Sequence, residues 1–133
     1  MTAPLVDVRQ VRAGTAVGYD HTWRAPTSTR LGLVGIGYAD GLPRSASGRA
    51  EVMVAGRRCP VVGLISMDQV VIDLGDLPVG VGEPVTVIGT RDGAPTAAEW
   101  AAWADTIEHE IVTGLHVRGA VRTARPSHLR SIT

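Results

Sequence analysis

Apolar and polar residues alternate in short runs along this chain, and glycine or proline separates one run from the next. A period of two is the pattern of strands whose alternate side chains face opposite sides of a sheet. In "RAEVMV" it puts Ala50, Val52 and Val54 on one face and Arg49, Glu51 and Met53 on the other. Ala55-Gly56 then supplies a tight turn, and "RRCPVVGLI" returns as the hairpin partner. Further strands are expected at "LVDVRQV", "RLGLVGIGY", "QVVIDL", "PVTVIG" and a closing "LHVRGAVR", with Gly75-Asp76 and Gly80 to Pro84 marking loops.

One segment has a different period. Thr96 and Glu99 form a capping box, and Trp100, Trp103, Ala104 and Ile107 follow at one-face spacing, so a helix is expected at about Ala97–Asp105 with its tryptophans packed on the sheet. The expected fold is therefore mainly β, a small barrel or sandwich with one short α-helix. No linker, repeat or low-complexity tract interrupts it, and residues 1–133 read as a single domain.

Charge and composition narrow the function classes. Formal net charge is zero, and all thirteen basic side chains apart from histidine are arginines scattered along the chain, which argues against nucleic acid or an anionic membrane as partner. A single cysteine, Cys59, excludes an internal disulfide. No apolar run approaches the ~18 residues that span a bilayer, and "MTAPLVDVRQ" is unlike a signal peptide, so a cytoplasmic location is expected. The chain contains no lysine, and hence no amine side chain to hold an aldehyde cofactor such as pyridoxal phosphate as a Schiff base.

Four clusters carry candidate chemistry. Within "VGYDHTWRA", Tyr19 could act as acid or base if its pKa were drawn down from about 10 by His21 or Arg24; the bland alternative is a turn tyrosine beside a solvated Asp20. In "GIGYADGLPR", alternation places Val34, Ile36 and Tyr38 on one face. A turn at Ala39-Asp40-Gly41 then aims Asp40 and Arg44 at the strand end, either to orient a small polar substrate or merely to turn the chain. In "SMDQ", Asp68 beside Ser66 and Met67 either caps backbone amides or lines a pocket. In "IEHEIVTGLH", His109 faces away from Glu108 and Glu110, towards the core or a pocket. The four histidines match no metal-ligand spacing, and no metal is expected.

Taken together, "VGYDHTWRA", "GIGYADGLPR", "CPVVGLISMDQVVIDLG", "PTAAEWA" and "TIEHEIVTGL" resemble, in order and spacing from about Leu5 to Leu115, the C-terminal β-domain of alanine racemases. In that family an N-terminal (β/α)8 barrel bears pyridoxal phosphate and its lysine, and the present chain starts where such a barrel would have ended. The resemblance implies that Tyr19 is an acid/base on the substrate face opposite the lysine, reaching the site from the second subunit of a dimer. It implies that Tyr38 and Arg44 line the substrate corridor, and that Met67 and Asp68 belong to a motif near the substrate carboxylate. The family commonly has arginine where Leu64 stands, cysteine at Ser66, tyrosine at His109, and serine and glycine in place of Gly18 and Asp20.

Those departures fall on the cofactor side of the site, which leads to the expectation of a stand-alone, cofactor-independent acid/base enzyme acting on a small molecule by proton shuttling, dehydration, isomerisation or cyclising addition. Tyr19, His21 and His109 would be catalytic, and Tyr38, Asp40, Arg44, Met67 and Asp68 would bind substrate. Two alternatives stand beside it: an accessory subunit that completes a split racemase, with pyridoxal phosphate supplied by a separate barrel, and a non-catalytic binding or assembly module. In each case a β-domain without its barrel exposes apolar surface, so a homodimer is expected.

Overall fold

A computed structural model describes residues 1–17, 23–90, 92–107 and 110–111. The strands are β1 (Thr2–Val11), β2 (Ala16–Val17), β3 (Trp23–Arg24), β4 (Thr29–Val34), β5 (Glu51–Val54), β6 (Arg57–Val62), β7 (Val70–Gly75) and β8 (Pro84–Thr86), and the helix α1 is Ala97–Ala104. Six of the strands close into an antiparallel barrel in the order β1-β4-β7-β6-β5-β8, while β2 and β3 form a separate small hairpin. Of the two architectures left open by the alternation, the barrel is the one adopted. Closure pairs both edges of the six-stranded sheet with each other.

The length of β1 makes closure work. Its first residues pair with β8 (Thr2↔Thr86, Pro4↔Pro84), and the rest pairs with β4 from Leu5↔Val34 to Val11↔Thr29. The register shifts between Leu5 and Asp7, a bulge that bends the strand from one neighbour to the other and turns Val6 outward. The expected hairpin forms as read: Val52 pairs with Cys59 and Val54 with Arg57, and Ala55 and Gly56 both take positive φ in a two-residue turn. Met53 is nevertheless as buried as its inward neighbours, because the segment around Gly93 lies over that outer face.

Inward residues of all six strands fill the core, among them Leu5, Val34, Val52, Val61, Ile72 and Val85. α1 adds Trp100, Ala101 and Ala104 to the same core. Its capping box is present: Thr96 Oγ1 accepts the Glu99 N–H at 3.1 Å, and Glu99 Oε1 accepts the Thr96 N–H at 3.0 Å. Trp100 is wholly buried, meets Trp103 edge-to-face at 5.3 Å, and donates its indole N–H to the Val87 carbonyl at 2.8 Å. The tryptophans are packing residues. Ile107, expected on that helical face, is exposed, since the helix ends at Asp105 in a left-handed cap and the following residues leave its axis.

Arg58 fastens α1 to the barrel. Its guanidinium reaches Glu51 at 2.9 Å, Glu99 at 2.8 Å and the Gly93 carbonyl at 2.7 Å. No helix among the described residues is long and apolar enough to cross a membrane. The expected strand "LHVRGAVR" lies outside the described residues.

Candidate functional site

At one end of the barrel, where β4 and β6 finish and β7 begins, three connecting segments converge. The first follows β4. The alternation expected to carry Val34, Ile36 and Tyr38 along one face stops short: Val34 and Ile36 are buried, but the strand ends at Val34 and a 3-10 turn over Tyr38–Asp40 swings Tyr38 outward to 40% exposure. The second is a 3-10 turn over Arg44–Ala46, and the third is the connection of residues 63–69 between β6 and β7.

Backbone hydrogen bonds join the first and third. Tyr38 N–H donates to the Ser66 carbonyl and Ala39 N–H to the Met67 carbonyl, both at 2.9 Å. This approach needs a residue without a side chain: a Cβ on Gly37 would stand 2.2 Å from the Ser66 oxygen and 2.4 Å from that of Met67. The guanidinium of Arg44 lies 5.6 Å from the centre of the Tyr38 ring, a cation–π pairing that links the second segment to the first. Met67 is 53% exposed on the connection beside this turn, and Asp68 is exposed next to it. Tyr38, Arg44, Met67 and Asp68, scattered over some thirty residues, are thus gathered at one end of the barrel.

Asp40 is only 4% exposed, and its Oδ2 accepts the Gly37 N–H at 3.0 Å, so it helps to hold the turn that presents Tyr38. Ser47 was not singled out by the sequence pattern. Its hydroxyl donates to the Arg44 carbonyl at 2.6 Å and accepts the Ile65 N–H at 2.9 Å. No local pattern in the sequence marks it.

The β2–β3 hairpin brackets the stretch Gly18–Thr22. Its stem is anchored on the outer barrel face by a second apolar cluster of Val17, Leu31 and Val62, with Val11, Trp23 and Val71 packed around them. The Val17 backbone lies against Gly63, the first residue of the same connection that reaches Tyr38 through Ser66 and Met67. Arg24 donates to the Gly14 carbonyl at 3.1 Å within the hairpin region. Tyr19, His21 and His109, the expected catalytic residues, lie outside the described residues.

A cleft of about 720 Å³ sits at the opposite ends of these strands, lined by Thr29, Arg57, Asp73 and Asp76 among others. Its cationic side chains are engaged: Arg57 pairs with Asp76 at 2.8 Å, Arg30 donates to the Leu77 and Val79 carbonyls, and Arg58 holds α1. The nearby Cys59 thiol is buried, which pushes its pKa up to about 11 and leaves it unreactive. Among the described residues no group of three or more histidine, cysteine or acidic side chains is gathered for a metal.

The family model described as "Alanine racemase, C-terminal domain" matches residues 1–123. The alanine racemase of Mycolicibacterium vanbaalenii is 55% identical over 114 residues, which cover 83% of this chain and 29% of the relative. Among solved structures, the alanine racemase from D-cycloserine-producing Streptomyces lavendulae superposes with a TM-score of 0.83 at 45% identity, over 86% of this chain and 30% of that one. The alanine racemase of Bartonella henselae with covalently bound pyridoxal phosphate superposes with a TM-score of 0.79 at 34% identity, over 86% and 32% of the two chains. The chain spans about 30% of the length of these relatives.

These findings overturn the expectation of a cofactor-independent enzyme, with its dehydration and cyclisation chemistries. The handful of departures around the tyrosine and at Leu64, Ser66 and His109 stand against 55% identity to a racemase over 114 residues, and carry less weight than that identity. By sequence and by fold, the chain belongs to the alanine racemase C-terminal domain family.

Proposed function

We propose that these 133 residues are one β-domain that completes the active site of a pyridoxal-phosphate-dependent amino-acid racemase, alanine being the first substrate to test. The observation that carries this is the pairing of high identity with partial coverage: 55% identity to a racemase of which the chain spans 29%. The residues present do not fit the cofactor itself. There is no lysine, and the arginines of the cleft lined by Arg57 and Asp76 already have partners. The Schiff-base amine and the cofactor's binding site are therefore assigned to a (β/α)8 barrel in polypeptide outside these residues.

The contribution of this chain is the wall facing that barrel. Tyr38 and Arg44 would line the route of a small zwitterion, the guanidinium attracting its carboxylate, and Met67 would pack against its apolar part. Tyr19, by its resemblance to the family's tyrosine, is proposed to exchange a proton at the substrate α-carbon, with His21 or His109 tuning it. On this reading the exposed side chains of Val6, Val81 and Met67 would be covered by the barrel or by a second subunit.

Mixing the chain with a racemase barrel prepared without its own β-domain tests the proposal. Alanine racemisation should appear only in the mixture, together with the visible absorbance of a cofactor bound as a Schiff base. Turnover by the chain alone, or a stable mixture without racemisation, would reject it.

A further inference from the structure

The three segments of the candidate site are joined pairwise, and two of the joints are made by side chains rather than backbone. The Tyr38 turn meets the 63–69 connection through two backbone hydrogen bonds, and Arg44 meets the Tyr38 ring. The remaining joint, between the Arg44 turn and the connection, is the Ser47 hydroxyl, which takes the N–H of Ile65, 18 positions further along the chain, while donating to the Arg44 carbonyl. Resting on the function proposed above, we propose that Ser47 is a positioning residue of the substrate-facing cluster: its hydroxyl fixes the 63–69 connection to the Arg44 turn and so sets the spacing between the Arg44–Tyr38 pair and Met67.

The chemistry of the joint is specific to a small hydroxyl. One O–H donor and two acceptor lone pairs satisfy both backbone groups at once; alanine would leave the Ile65 N–H without its acceptor. The turn is itself a firm base. Ala46 is wholly buried in the core, and Ser45 Oγ donates to the Ala104 carbonyl at the end of α1. Ser47 thus transmits the position of core and helix to a connection whose tip carries Met67 and whose first residue abuts the hairpin stem. Asp40 plays the corresponding part for the Tyr38 turn through the Gly37 amide.

The test compares the full chain with S47A and with S47T, which keeps the hydroxyl. Amide hydrogen exchange of Ile65, Tyr38 and Ala39 should quicken about tenfold or more in S47A and return towards wild type in S47T. In the assembly with a barrel, S47A should raise KM for alanine about tenfold with kcat within about twofold, as expected when substrate positioning rather than the chemical step is affected. Exchange quickened at Ile65 alone, with KM unchanged, would overturn the proposal and leave Ser47 a local turn residue. Should S47A fail to fold, S47C fills the space with a poorer acceptor and is held to the same criteria. If the wild-type assembly shows no racemisation, the proposed function is rejected, and the coupled exchange of Tyr38 and Ala39 still supports or overturns the hold of Ser47 on the cluster.

Discussion

Replacing Gly37 by alanine tests whether the site depends on two backbone segments lying closer than any side chain permits. The new Cβ would stand 2.2 Å from the Ser66 oxygen and 2.4 Å from the Met67 oxygen, and both obstacles are backbone, with no flexible end to swing aside. Ordinary C···O contacts begin at about 3.3 Å, so the Tyr38 turn and the 63–69 connection must part by roughly 1 Å. Both 2.9 Å hydrogen bonds, Tyr38 N–H to Ser66 and Ala39 N–H to Met67, then stretch beyond useful length. Two such bonds in a half-buried turn contribute about 1–2 kcal/mol each. Alanine recovers about 0.4–1 kcal/mol by restricting the unfolded chain. The expected destabilisation is about 1–3.5 kcal/mol in urea unfolding, with an unchanged m-value because the barrel remains intact. In the barrel assembly, KM for alanine should rise along with it. A G37A chain within ~0.5 kcal/mol of wild type would refute the close approach and, with it, the mutual placement of Tyr38 and Met67.

Trp100→Phe keeps most of the buried ring but strands the Val87 carbonyl and leaves a small void, so a loss of about 2–4 kcal/mol in chemical unfolding is expected; a loss under ~1 kcal/mol would mean that the 2.8 Å indole bond is not formed. The Arg58–Glu99 pair makes a pH prediction. Hydrogen bonding from Arg58 holds the Glu99 pKa below the ordinary glutamate value of 4.5, so the pair's contribution is complete above that value and is lost as pH falls through the depressed one. R58M should remove this acidic step from the stability profile while leaving the profile above pH ~5 parallel to that of wild type; an unaltered step would assign it to another carboxylate.

Much of the barrel was legible before any coordinates. Period-two runs separated by glycine and proline located the strands, because a half-buried strand must alternate its side chains. The β5–β6 hairpin was readable to the residue, since Ala55-Gly56 accepts the positive φ of a two-residue turn. The capping box between Thr96 and Glu99 marked the start of α1 for an equally local reason, as it satisfies amides of the first turn. Where long-range contacts intervened, local pattern failed. β1 extends to Thr2 because β8 is there to pair with it, and Met53 is buried because a distant segment covers it.

The candidate site divides in the same way. The residue types at positions 38, 44, 67 and 68 were visible along the chain, and so was the absence of any lysine that could hold an aldehyde as a Schiff base. Chemistry and short-range turns are properties of neighbouring residues and survive in a one-dimensional reading. That Asp40 turns inward to Gly37, that Tyr38 turns outward, and that a serine hydroxyl ties the Arg44 turn to a connection 18 residues away depended on closing the barrel. Which donor meets which acceptor across such a gap is set by where the strands end, and no local periodicity records it.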